Sequence, residues 1–240
     1  MMSAFEILQV TLSTIALLLG MAIWGIAAAP GIALVLETLE ITAGMELWLR
    51  CILLGLSVGG AYLIWGIDTL AIVCVFGILI RPRLPEARVP IKHHITVRWA
   101  FFGVFHRLAK PFLQHMVPSW IANLYYRLMG CKIGRGAQIN SYLINDCYMI
   151  EIGKDVIIGG NAEINGHITE KGELVLAPVK IGDGALIGAN AFINPGVTVG
   201  AGAVVATHAL VAKFTNIPPG EIWAGIPARC IRLADGSKPE

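Results

Sequence analysis

The stretch IGDGALIGANAFINPGVTVGAGAVVATHALVAK, residues 181–213, places an aliphatic side chain every six positions, at Ile181, Ile187, Ile193, Val199, Val205 and Val211. The fifth position of each unit is small: Ala185, Ala191, Val197, Ala203 and Ala209. Earlier in the chain the pattern runs through Ile133 and Ile139, then Ile152, Ile158 and Ile164, with Ala137, Val156 and Ala162 as its small residues. A period of six fits a short strand followed by a corner, with one aliphatic and one small side chain turned inward, so three units close a triangular coil. A single coil cannot bury its interior alone, and several must stack. A β-sandwich would instead alternate with period two between turns of variable length. The sequence therefore predicts a parallel β-helix over the C-terminal half.

The period breaks twice. From Ile164 to Ile181 the step is seventeen residues where a full coil takes eighteen, and the charged, flexible residues of the intervening NGHITEKGELVLAPVK suggest a loop thrown outward, where function often resides. Between Ile139 and Ile152 a one-residue slip around Asn145 and Asp146 suggests a corner bulge.

Upstream the solvent changes. The 240 residues are 56% hydrophobic and only 14% charged, well below the usual quarter, so part of the chain belongs in lipid. Ile7 to Leu36 holds no charged residue and is long enough to span a bilayer. With no base before it, this run reads as a spanning helix, not a cleaved signal; Pro30 is expected to kink or end it. A second run, Leu47 to Ile80, carries only Arg50 and Asp68. It is either one tilted helix or a span broken near Gly59-Gly60 or Asp68, and Asp68 is equally readable as functional or as a helix-end residue.

The connection between the runs holds Glu37, Glu40 and Glu46 against Arg50, whereas Arg81, Arg83, Arg88 and Lys92 follow the second run. Bases stay on the cytoplasmic side, so both termini are expected there, in a bacterial-type inner membrane. No acidic residue lies between Glu86 and Asp146, while bases alternate with Trp99, Phe101, Phe102, Phe105, Phe112, Trp120, Tyr125 and Tyr126. That mixture predicts basic amphipathic helices in the headgroup layer and makes nucleic acid a poor partner. The expected division is a transmembrane hairpin over 1–85, an interfacial belt over 86–130 and the β-helix over 131–240. Five cysteines without close pairing give neither a disulfide framework nor a cysteine metal site.

Residues 131–235 resemble the hexapeptide-repeat acyltransferases, in the repeat itself, in INPGVTVGAGAVV (193–205) and in AGIPARCIR (224–232). The segment WIANLYYRLMGCKIGRGAQI (120–139) is similar to the membrane-embedded acyltransferase portion of poly-lysine synthetases. The resemblance implies a left-handed β-helix, a homotrimer, and acetyl-CoA or another acyl thioester as donor substrate without a metal. Acyl transfer needs a base for the acceptor's proton, and histidine titrates near neutrality. His167 lies in the loop that breaks the repeat, as the family's catalytic histidine does. Asn161 matches a family asparagine at a spacing two residues too short. Glu163, Glu170 and Glu173 could orient the imidazole; the sequence ranks none decisively, and Glu170 completes the expected catalytic set of His167, Asn161 and Glu170. By the same resemblance Ala189, Thr207, Ala212 and Lys213 line the donor's pantetheine arm, and Arg229 and Arg232 face its nucleotide phosphates. His208 is expected at a repeat corner; His93, His94, His106 and His115 are read as interface residues.

The resulting expectation is an acyltransferase on the cytoplasmic membrane face, moving an acyl group, acetyl in the first instance, to a hydroxyl or amine of a membrane-proximal, lipid-linked or anionic acceptor. Two alternatives stand beside it: a non-catalytic membrane scaffold, and a zinc enzyme of the carbonic anhydrase type, which the solenoid's two histidines ill suit.

Overall fold

A computed structural model describes residues 4–81 and 84–239; Arg83 of the basic flank lies outside them. Two long helices open the chain, α1 (Ala4–Ile41) and α2 (Leu47–Ile80). Each is long and apolar enough to cross a membrane, and both leave large apolar side chains exposed, Leu17, Leu47 and Leu79 among them. Pro30 does not end α1, which continues eleven residues beyond it. α2 is likewise unbroken through Gly59-Gly60, and Asp68 lies inside it rather than at an end. The helices touch at small residues: a Cβ on Gly31 would stand 2.7 Å from the Ala61 carbonyl oxygen.

The segment read as interfacial helices begins instead with a strand, Ala87–Pro90, followed by α3 (His94–Met116) and α4 (Trp120–Leu128). Phe102, Phe105, Ala109, Phe112 and Leu113 recur at helical spacing and form the buried face of α3, while Arg98 and Arg107 stay exposed. That face packs lengthwise on α2, with Phe105 stacked on Phe76 at 5.3 Å and Phe112 against Trp65 at 5.1 Å. Ser119 caps α4, its hydroxyl accepting from Ala122 N.

From Lys132 the chain winds a parallel β-helix whose three faces hold the inward aliphatics in register. Ile133, Ile152, Ile181, Val199 and Ile217 stack on the first face, and Ile139, Ile158, Ile187 and Val205 on the second, where the aromatic Trp223 takes the last place. Ile144, Ile164, Ile193 and Val211 form the third. Most of these side chains, and the small ones between them, are fully buried. Each buried aliphatic stabilises by roughly 1.5–3 kcal/mol.

The register corrects one reading of the break. Ile164 lies on the third face and Ile181 on the first, so a step of seventeen residues replaces a single six-residue step, and eleven residues are extra. They form a hairpin, His167–Glu170 with Glu173–Leu176, and the Ala87–Pro90 strand adds to its second arm. The excursion from the coil is thus tied back to the segment that enters α3.

Candidate active site

His167 is the first residue of the hairpin. Its Nδ1 lies 2.5 Å from Asp146 Oδ2, and the other carboxylate oxygen accepts from Trp99 Nε1 at 2.8 Å. The Trp99 ring lies 4.5 Å from the imidazole, centroid to centroid. Three separate segments therefore meet here: α3 supplies Trp99, a coil corner supplies Asp146 and the hairpin supplies His167. The one-residue slip near Asn145 has a clear structural role, because Asp146 adopts a left-handed conformation (φ 55°) just ahead of the short 3-10 turn Cys147–Met149. Gly166 permits the approach: a Cβ there would sit 2.9 Å from Asp146 Cβ and 3.0 Å from Met149 Cβ.

The carboxylate only accepts, so Nδ1 of a neutral His167 carries the proton and Nε2 keeps its lone pair. That tautomer is the one a general base needs. The pair lines a cavity of about 290 Å³ between α3 and the coil, shared with Arg107, Lys110, Asn145, Glu163 and Asn165. Glu163 Oε1 accepts from the amides of Asn145 and Asn165, both at 3.3 Å, and Asn145 also donates to Asn165 Oδ1 at 2.6 Å.

His106, read from the sequence as an interface residue, is buried in this cavity's wall with Nδ1 2.9 Å from the Tyr125 hydroxyl. Burial, and secondarily the Lys110 ammonium, lower its pKa to about 4 and keep it neutral. Burial also lowers that of Lys110, with Glu163 and Asp146 pulling the other way. The Cys147 thiol lines the cavity too, but burial pushes its pKa far up, which suits packing and not nucleophilic attack.

Two expected catalytic residues lie elsewhere. Glu170 is not the partner of His167: its carboxylate is bonded to Lys213 and lies 3.8 Å from Arg88, which holds the hairpin tip against the coil and lowers its pKa. Asn161 occupies an exposed left-handed corner (φ 55°) and does not line the cavity. The nearby amides are instead Asn145 and Asn165.

The expected donor-lining residues fall on two edges of the third face. Ala189 and Thr207 stack at the corner before it, where His208 N donates to the Ala189 carbonyl at 3.0 Å and His208 is left-handed and exposed. Ala212 and Lys213 occupy the corner after it, beside the hairpin. Arg229 and Arg232 are exposed on the terminal strand Ala228–Arg232, which closes the end of the coil.

The family described as Bacterial transferase hexapeptide (six repeats) matches residues 178–213. The acetyltransferase candidate YvoF of Bacillus subtilis (strain 168) is 36% identical over 124 residues, covering 50% of this chain and 68% of that protein. The chain belongs to the hexapeptide-repeat transferases. Galactoside O-acetyltransferase of Escherichia coli (strain K12) is 34% identical over 125 residues, covering 48% of this chain and 60% of that enzyme. Delta-poly-L-ornithine synthetase of Acinetobacter baumannii (strain AB307-0294) is 30% identical over 148 residues, 62% of this chain but 11% of the synthetase. The chain thus spans less than two thirds of these last two relatives. The match to the synthetase, 62% of this chain, is longer than the coil from Lys132 to Arg232.

Proposed function

We propose that the protein is a membrane-anchored acyltransferase in which the Asp146–His167 pair is the general base. The contact between His167 Nδ1 and Asp146 carries this reading, because it fixes the proton-accepting tautomer in the lining of a cavity walled by α3. His167 Nε2 takes the proton of an acceptor hydroxyl or amine as that atom attacks the thioester carbonyl. The carbon–sulfur bond then breaks, and the leaving thiolate takes the proton back from the imidazolium. Asp146 stabilises the imidazolium formed between these steps, and Trp99 holds Asp146 in place.

The donor is acetyl-CoA or a related thioester, a choice supported by the acetyltransferase relatives. Ala189 with Thr207, and Ala212 with Lys213, would line its arm from two copies of a homotrimer, since they occupy opposite edges of one face. Arg229 and Arg232 would take its phosphates. The division at 1–85, 86–130 and 131–240 makes the hairpin the anchor, with both termini cytoplasmic in a bacterial-type inner membrane. Locality at the bilayer favours a lipid-linked or anionic acceptor.

The test is acyl transfer by the full chain in lipid nanodiscs supplied with radiolabelled acetyl-CoA. Label moving into the lipid or headgroup fraction is expected. Intact thioester with every lipid class supplied would instead favour a scaffolding role.

A further inference from the structure

A second cavity of about 360 Å³ runs beside the first, between the opening turns of α1 and the outer side of α3. Its walls are apolar: Leu8 and Leu12 of α1 face Val97, Phe101 and Val104 of α3. Trp99, Ala100 and Arg107 line both cavities, so the apolar groove adjoins the site that holds His167. Along α1 it extends from Phe5 to Ala16, about 16 Å at ~1.5 Å per residue, which suits an extended hydrocarbon chain. The outer side of α1 beside it, at Ile7 and Val10, is exposed and apolar, so a chain in the groove stays continuous with a bilayer around the helix.

The junction is cationic. Arg107 borders both cavities and Lys110 projects into the polar one a turn later. Neither side chain forms an ion pair among the described residues. Glu163 and Asp146 of the same cavity stabilise the half-buried Lys110 ammonium from beyond ion-pair distance, but burial outweighs them, and a ligand's anion in contact would offset the remaining cost.

We propose that the groove holds the hydrocarbon chain of a phosphate-bearing membrane lipid, with its phosphate at Arg107 and Lys110 and its headgroup hydroxyl or amine at His167. This names the acceptor class of the acyltransferase reading and rests on that reading for the role of His167. Trp99 then serves both halves, as part of the groove's end and as the donor that fixes Asp146.

The experiment uses the full chain in phosphatidylcholine nanodiscs doped with phosphatidylglycerol carrying a diazirine in one acyl chain, or with the matching diacylglycerol. After illumination, cross-linked peptides are mapped. Labels are expected at residues 5–16 and 97–104. The phosphate contact should favour phosphatidylglycerol by about tenfold, the equivalent of one charge-assisted contact, and Arg107→Glu should erase that preference. Val104→Trp fills the groove from α3 and Leu12→Trp from α1, so either folded variant should lose the labelling. Labels spread evenly along α1 and α2, equal labelling by both probes, or undiminished labelling in both folded tryptophan variants would overturn the proposal. His167→Ala separates the two readings: it keeps the labelling if the groove is right, whatever becomes of acyl transfer.

Discussion

Asp146 and His167 stand twenty-one residues apart in the chain and 2.5 Å apart in space, joined through a bulged coil corner and the first residue of an inserted hairpin. Neither feature is needed to close a β-helix. Together they give the imidazole a fixed tautomer facing a cavity.

Asp146→Asn presents an amide that can offer either a donor or an acceptor to Nδ1, so the tautomer is no longer fixed. Transfer is expected to fall about 10- to 100-fold in kcat, with the KM for acceptor little changed. A rise in KM with kcat unchanged would assign Asp146 to binding.

Gly166→Ala puts a methyl within 2.9 Å of Asp146 Cβ and should push the carboxylate off the imidazole. Its loss of activity should resemble that of Asp146→Asn, and the double variant should be no worse than either single one. Additive losses, measured as kcat on folded protein, would separate the two residues.

Glu170→Gln removes a hairpin anchor and not the partner of the base. Surface ion pairs contribute at most about 1 kcal/mol, the equivalent of about fivefold, so kcat should change by about fivefold or less. A hundredfold loss would restore Glu170 to the catalytic set.

His106 makes stability depend on pH. Its folded pKa of about 4 lies below the ordinary 6.5, so the unfolded chain takes up the proton first as pH falls. The stability of the neutral, buried form is fully present above about 6.5 and is lost as pH drops toward about 4, by roughly 3 kcal/mol. Thermal unfolding in detergent should therefore show the wild type losing its margin over His106→Gln across that window. A constant margin would contradict the burial argument.

The coil was legible because its period is a direct record of its geometry: Ile181 through Val211 repeat every six residues and stack face by face as that spacing demands. The apolar runs were legible as long helices, and α1 and α2 are each long and apolar enough to cross a membrane. The site was legible only in part. His167 stood out by interrupting the repeat. Asp146 did not, because its pairing depends on a corner rotated out of register by a single residue, and the slip between Ile139 and Ile152 was its only trace. Glu170 was one of three nearby carboxylates the sequence could not rank, and it lies at the hairpin tip beside a two-residue turn, bonded to Lys213. Trp99 and His106 were hidden among the aromatics and bases around α3, where nothing in the sequence distinguishes a side chain facing the coil from one facing outward.

The most direct measurement is the single-turnover rate of acyl transfer by purified His167→Ala, shown to be folded by its thermal transition and compared with wild type in the same nanodiscs. Loss of the general base should lower the rate by about 10²- to 10⁴-fold while donor binding persists. An unchanged rate in the folded variant would remove His167, and with it the Asp146 contact, from the chemistry.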